Sequence, residues 1–366
     1  MIGVRGFIPL LVYLLIMGFV YIRMVRGLKL SRAWKIFLIV FFVLTTIVFI
    51  LSSKFTVQKA VPEMVYAGGC LMGLLLIALS VFFFEVIVSF SFPAKRRAWV
   101  LISLSLVFIL SLVSLVKGLQ VPVVREIRVP IKNLPQHLSG FTIVQLSDLH
   151  LEGAAPVSRL ERIVDRTNAL NPDLVVITGD LIGSLNLVLD KYLSVLSRLK
   201  AVNGVLAVNG NHEYGRGGRT FKKLIAGTGI RVLINEHITL DNGIQVAGLE
   251  DPHGFKNQKE KMRSDLKTAL KGIDPLRPVI LLSHRPGIFD DALALNVDLQ
   301  LSAHTHAGQI PPLDMLTYIY YKYPYGLYRE KDAYLYTSSG SGTWGYLPMR
   351  LFSSNEIVKI ILQKDG

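Results

Sequence analysis

Five short hydrophobic runs in the C-terminal two-thirds of this chain each end on residues able to bind a metal. TIVQLS precedes Asp148 and His150, LVVIT precedes Gly179-Asp180, and VLAVN precedes Gly210-Asn211-His212. VILLS then leads to His284, and DLQLS to His304 and His306. Asp148, Asp180, Asn211 and four of these histidines form a mixed oxygen/imidazole set, which suits Mn, Fe or Zn better than Ca or Mg alone. Such a set exceeds the needs of one tetrahedral ion and suffices for two ions sharing a bridging carboxylate. Two ions ~3.5–4 Å apart clamp the attacking and leaving oxygens of an in-line displacement at phosphorus. A lone histidine at a strand end is ordinarily a hydrogen-bonded surface residue, and Asp148 or Asp180 alone could be a turn or N-cap residue. The ordered set carries the metal reading. His137, His237 and His253 fall outside these runs; the first two read as surface or loop residues, whereas His253 in GLEDPHG follows a strand and could approach the pocket.

Each run is rich in β-branched residues and bounded by a turn signal, as expected of a strand buried on both faces. Ligands at the C-terminal ends of successive core strands converge on one rim of an open α/β sheet. Between the runs lie amphipathic patterns. In PVSRLERIVDRTNAL, Leu160, Ile163, Val164 and Leu170 share a face, and Asn186–Leu199 and Lys259–Leu270 look similar. REIRVP, IQVAGL, AYLYTSSG and EIVKIIL read as further strands. Alternating strands and helices with a β-rich end predict sheets packed between helices.

The order Asp-x-His, Gly-Asp, Gly-Asn-His-Glu, His, His-x-His resembles the calcineurin-like metallophosphoesterase superfamily, over essentially all of Val121–Gly366. SDLHLEG, ITGDLIG, GNHEYG, LLSHRP, SAHTHAGQI and the later GTWGYLPMRL are similar to its membrane-anchored branch. The resemblance implies an α/β/β/α sandwich of two sheets flanked by helices. It also implies that Asp148, His150 and His306 hold one metal, that Asn211, His284 and His304 hold a second, and that Asp180 bridges them. Two divalent ions follow, manganese first, with iron or zinc as alternatives. His212 is then the catalytic residue rather than a ligand, stabilising developing charge and protonating the leaving oxygen after attack by a metal-bound hydroxide. Glu213 is expected to orient it, and Arg285 is a candidate contact for substrate phosphate, as are Arg216 and Arg219. The chain departs from the family at Gly183, where a Gly-Asp-x-x-Asp element carries a carboxylate, and at Ala303, where Gly-His-x-His begins with glycine. Neither change removes a ligand.

The N-terminal third is different. Phe7–Ile22, Trp34–Leu51, Met64–Phe92 and Trp99–Val116 each approach the ~20 residues that cross a bilayer core. The expected division is a four-helix transmembrane domain, 1–117, and a catalytic domain, 118–366. Residues 1–117 hold twelve Lys/Arg against Glu63 and Glu85, hence +10 of the formal +14, so the basic balance belongs to loops beside a membrane and not to a nucleic-acid interface. Basic residues crowd the first loop (Arg23 to Lys35) and the third (Lys95-Arg96-Arg97), while the second has only Lys54 and Lys59. The positive-inside rule makes this a multi-pass plasma (inner) membrane protein with both termini and the catalytic domain outside the cytoplasm. Glu85 lies inside the third stretch with no obvious partner, and Cys70, the one cysteine, excludes a disulfide framework or thiolate site. LTYIYYKYPYGLY, Leu316 to Tyr328, carries six tyrosines and suits either a lipid or acyl-chain contact or a packed surface hairpin. The expected function is a membrane-tethered two-metal hydrolase of phosphoester or pyrophosphate bonds in a lipid-linked substrate. The alternatives are a phosphatase for soluble nucleotides or phosphoproteins and a non-hydrolytic metal-binding sensor. A transporter fits poorly, with one interior acid and no paired broken helices.

Overall fold

A computed structural model describes residues 4–55, 62–132, 134–151, 156–183, 190–214, 218–344 and 347–365. The chain forms two compact units. One comprises Met1–Leu119, Gly308–Leu316 and Gly345–Ser353, the other Gln120–Ala307, Thr317–Trp344 and Ser354–Gly366.

The first unit is built on helices α1 (Val4–Leu28), α2 (Arg32–Phe55), α3 (Pro62–Ser91) and α4 (Arg96–Leu119). All four have the length and hydropathy to cross a membrane. Between 6% and 33% of each apolar window is buried, so most of their apolar surface faces outward, as lipid-facing helices require. Helix α1 continues six residues beyond the expected Ile22, which places Arg23 inside a helix rather than in a loop. Its Nε and Nη2 donate to the Glu85 carboxylate at 2.8 and 2.9 Å, and Ser89 Oγ donates to the same group. Glu85 therefore has a partner that the sequence reading lacked. The pair is local in space and far apart in the chain.

Two segments from the C-terminal part belong to this unit, so the expected boundary at 117/118 is not a single cut. Ile310, Leu313, Leu347, Met349 and Leu351 pack into the cluster made by Tyr13, Ile16, Ile77, Phe82 and Val100. The Arg350 N–H donates to the Ser114 carbonyl (2.8 Å), and Lys117 Nζ donates to that of Leu351 (2.8 Å). At Gly118 a Cβ would strike the Pro348 carbonyl, so this approach needs glycine.

The second unit contains β1 (Val123–Ile131), β2 (Thr142–Leu146), α5 (Val157–Asn168), β3 (Leu174–Thr178), α6 (Asp190–Leu196), β4 (Val205–Val208), α7 (Asn211–Tyr214), α8 (Gly218–Leu224) and β5 (Ile230–Val232). It continues through β6 (Glu236–Thr239), β7 (Gln245–Gly248), α9 (Gln258–Ala269), β8 (Val279–Leu282), α10 (Phe289–Leu293) and β9 (Leu299–Ser302). Helix α11 (Leu313–Tyr320) begins in the first unit and ends in the second, before β10 (Gly326–Glu330), β11 (Ala333–Thr337) and β12 (Glu356–Lys364). One sheet has the order β1-β12-β2-β3-β4-β5, the other β10-β11-β9-β8-β7-β6. Strands β2, β3 and β4 run parallel, as do β7, β8 and β9.

Side-chain alternation explains why the runs read as continuously hydrophobic. Ile143, Val176, Leu206 and Val208 face the other sheet, where they meet Val246, Ile280, Leu282 and Leu301. Their neighbours Val144, Leu146, Val175 and Ile177 face outward under Leu160, Ile163 and Leu196 of α5 and α6. Ala247 and Leu281 meet Met262 and Leu266 of α9 on the far side. The result is an α/β/β/α sandwich. The patterned helix expected over Asn186–Leu199 is observed from Asp190, and 186–189 lie outside the described residues.

Breaking a buried ion pair costs about 3–5 kcal/mol, whereas replacing both partners with apolar residues is close to neutral. Arg23→Leu should therefore lower the unfolding midpoint of the detergent-solubilised protein, and Arg23→Leu with Glu85→Leu should restore most of the loss. A double variant no more stable than the single one would show that the pair does not set the stability of this unit.

Candidate metal centre

Every predicted ligand follows the C-terminal end of a strand. Asp148 and His150 follow β2, Asp180 follows β3, Asn211 and His212 follow β4, His284 follows β8, and His304 and His306 follow β9. The chain turns abruptly at these points. Asp148, His150, Asp180, His304 and His306 all have positive φ, between 44° and 74°. Non-glycine residues hold that conformation only where the surroundings over-determine it, and such strain concentrates at functional sites. A Cβ on Gly179 would collide with the His284 ring, so the turn into Asp180 has room only for glycine.

Ligand atoms of Asp148, His150 and His306 lie within 4.8 Å of one another, as do those of His150, Asp180 and His212, and those of Asp180, His284 and His304. Asp180 is common to the last two sets. Its Oδ2 stands 3.3 Å from His284 Nε2, 3.8 Å from His150 Nε2 and 3.9 Å from His212 Nε2. Asn211 Oδ1 is 3.2 Å from His284 Nε2, so the asparagine joins the His284–His304 side. The structure thus brings together all seven candidate ligands, with His212 against them.

The donor set fits divalent cations. His150 and His306 face each other Nε2 to Nε2 at 3.2 Å, and His304 Nδ1 faces His284 Nε2 at 3.1 Å. Asp148 Oδ1 is buried with His306 Nε2 3.3 Å away and no well-formed hydrogen bond among the described residues. Converging imidazole nitrogens and an unsatisfied buried carboxylate oxygen are costly unless a cation takes the lone pairs. The outer contacts agree. His284 Nδ1 lies 2.8 Å from the Thr178 carbonyl, which directs Nε2 into the cluster, the usual arrangement behind a metal-bound imidazole.

Electrostatics prepare most of these groups for ligation. Burial lowers His150 to about 3 and holds His304 well below its ordinary range, so both are neutral near pH 7. Burial would raise both aspartates, but His306 beside Asp148 and His284 beside Asp180 outweigh it and keep both ionised. His284 goes the other way. Burial alone would lower it, yet Asp180 and Asp148 raise it to about 10.

The expectation that Glu213 orients His212 gives way to a different contact. The buried Glu213 carboxylate accepts the backbone N–H groups of Asp180 (2.9 Å), Ile182 (2.8 Å) and Gly210 (2.6 Å), tying the Gly-Asp turn to the Gly-Asn-His turn. Burial and the adjacent Asp180 push its carboxyl up to about 8. The His212 N–H donates to Asp180 Oδ1 (2.9 Å), and its ring meets that of His150 edge-on. Arg285 spends its fork on the buried Asp251, through Nε (2.8 Å) and Nη2 (3.2 Å). Asp251 escaped the sequence reading although it follows β7 as the ligands follow their strands, so the strand-end rule could have found it. His253 is exposed, and its N–H donates to Asp251 Oδ1. His237 holds the Ala269 carbonyl through Nδ1 (2.8 Å), and His137 is exposed. Arg216 and the side chain of Arg219 lie outside the described residues.

A group held near 10 is protonated at neutral pH, and its proton must leave when a cation binds. Calorimetric titration of the metal-free protein with manganese, in buffers of different ionisation enthalpy, should show net proton release near neutral pH, and His284→Ala should reduce it, leaving any contribution from Glu213. Buffer-independent heats would mean that His284 is already neutral. Glu213→Gln sets an amide N–H₂ against backbone donors and should weaken metal binding about 10–100-fold, read in the same titration.

Comparison with known proteins identifies the family. Residues 141–308 match the calcineurin-like phosphoesterase family. A transmembrane protein with metallophosphoesterase domain from Danio rerio is 34% identical over 273 residues, covering 72% of this chain and 62% of the relative. Its counterpart from Bos taurus is 35% identical, with 70% and 60% covered, so the chain spans about three-fifths of the length of these relatives. A dimetal phosphatase structure from Danio rerio aligns at a TM-score of 0.39 and 14% identity, covering 62% of this chain and 94% of its own. An uncharacterized metallophosphoesterase of Campylobacter jejuni is 31% identical over 384 aligned positions, 98% of each chain. With that full-length match and this ligand set, the chain belongs to the calcineurin-like phosphoesterases.

Proposed function

We propose that this protein is a membrane-tethered hydrolase of phosphoester or pyrophosphate bonds, acting through two divalent cations, manganese first, on a lipid-linked substrate. The observation that carries the hydrolytic reading is the pair of ligand sets meeting beside Asp180, buried except on one side, where Asn211, His212 and His304 are partly exposed. The side chains of Asp148, His150, Asp180, His284 and His306 are at most 4% exposed, whereas that of His212 is 18% exposed. Asp148, His150 and His306 would hold one cation, Asn211, His284 and His304 the other, with Asp180 between them. Bound there, the cations supply Lewis acidity and a nucleophile at neutral pH.

The chain's own groups do the rest. His212 is fixed by its N–H on Asp180 and by the His150 ring, so its Nε2 can meet an oxygen of a phosphate group entering the open side. Burial lowers its pKa, which keeps the ring neutral at pH 7 and makes it a hydrogen-bond donor toward the leaving oxygen rather than a resident cation. The Asp251–Arg285 pair brings a guanidinium beside His304, where it lowers that group's affinity for protons. Four apolar helices support the tether, and the tether supports a substrate that is itself held in a bilayer. With Arg23 set aside as Glu85's partner, Arg26, Lys29, Arg32 and Lys35 around the α1–α2 turn and Lys95, Arg96 and Arg97 around the α3–α4 turn support an orientation with the catalytic unit outside the cytoplasm, in the plasma (inner) membrane.

The detergent-purified protein, loaded with manganese, should hydrolyse a phosphodiester or pyrophosphate carrying acyl chains faster than a soluble nucleotide or a phosphopeptide. His212→Ala should retain both ions and lose about 10²–10⁴ in kcat. Loss of an ion with that side chain would instead make His212 a ligand. Equal rates on acylated and soluble substrates would remove the lipid-directed part of the reading, and two bound ions without turnover would favour a sensor. Reporter fusions at the C-terminus should report a location outside the cytoplasm; activity of a cytoplasm-only reporter would reverse the orientation.

A further inference from the structure

The tyrosine-rich run does not form one hairpin. Its first part is helix α11, and its second pairs β10 with β11. Helix α11 has no buried residue, and its exposure is one-sided. Leu313, Asp314 and Thr317 are half-buried, while Met315, Leu316, Ile319 and Tyr320 form a contiguous exposed stripe. Met315 is 61%, Ile319 75% and Tyr320 82% exposed. An apolar stripe of that kind on an ordered helix marks a contact surface.

The occupant follows from what holds the helix. Leu313, in its first turn, packs into the cluster of the four membrane-length helices, so the first part of the stripe belongs to a unit whose helices turn most of their apolar surface outward. Phe352, in the other C-terminal segment of that unit, is 73% exposed as well. A short helix with Met, Leu and Ile on one face and tyrosine at its end matches segments that lie in the plane of a bilayer surface, with tyrosine at head-group depth. At the C-terminal end, the Tyr321 N–H still bonds to the Thr317 carbonyl (3.0 Å), and the Tyr321 ring stands edge-on to His304 at 6.1 Å.

We propose that α11 is an interfacial helix, seated in the head-group layer by Met315, Leu316, Ile319 and Tyr320. The proposal rests on reading the four long helices as membrane-spanning.

Cys70 is the single native cysteine, so a Cys70→Ala background accepts one spin label per variant. Labels at Ile319→Cys, at Phe108→Cys on α4 and at Val202→Cys would be compared in the full chain, reconstituted into phosphatidylethanolamine/phosphatidylglycerol vesicles. Collision with oxygen, relative to a water-soluble nickel chelate, should be several-fold higher at 319 than at 202 and should approach the value at 108. A water-like ratio at 319 beside a lipid-like ratio at 108 would overturn the interfacial helix while leaving the membrane reading intact. Low collision with both reagents at 319 would assign the stripe to another copy of the chain and equally overturn the proposal. A water-like ratio at 108 would remove the membrane reading itself.

Discussion

The catalytic unit depends on holding two carboxylates and a ring of imidazoles out of water within a few ångströms of each other. Isolated buried charges are expensive, and burial by itself would protonate Asp148 and Asp180 and disfavour every imidazolium. The groups offset one another only because carboxylate oxygens and imidazole nitrogens stand 3.3–3.9 Å apart. The sandwich provides that placement: parallel strands buried on both faces bring their ends to one rim, and sharp positive-φ turns there aim the side chains inward. Glu213 is the brace between two of these turns. The strain in the turns and the desolvated Glu213 are tolerated because the two-layer core beneath is large.

The first unit solves the opposite problem. Its surface is apolar almost everywhere, so hydrophobic burial between its helices drives little, and close packing and internal polar contacts must specify the arrangement. The Arg23–Glu85 pair with Ser89 and the glycine contact at 118 are of this kind. An acid inside an apolar helix is thereby compatible with a structural role.

The layers and the ligand rim were legible in the chain because both rest on local patterns. A strand buried on both faces must be hydrophobic throughout, and a metal-binding residue at its end is conspicuous against that run. Contacts across long stretches of sequence were not legible. Arg23 and Glu85 lie 62 positions apart, and Arg23 reads as loop charge until α1 is seen to extend to Leu28. Glu213 sits next to His212, which suggested a partnership, yet its carboxylate serves backbone amides of another turn, and nothing in residue order reports where backbone donors point. Segments 308–316 and 345–353 carry apolar residues, but in short stretches broken by Gly and Pro that do not say which core covers them, so their membership of the helical unit was invisible. The tyrosine run misled for a related reason: composition spread evenly over a stretch that backbone geometry divides into a helix and a strand.

The interleaving of the two units bears on how such a protein can change over time. The chain leaves the catalytic unit two residues after His306, contributes Ile310 and Leu313 to the helical core, returns, and leaves again to contribute Leu347, Met349 and Leu351. A gene rearrangement that moved the catalytic part alone onto another anchor would carry these apolar segments away from the core that covers them. A catalytic part carried without these helices would therefore need polar side chains where this chain has Ile310, Leu313, Leu347, Met349 and Leu351.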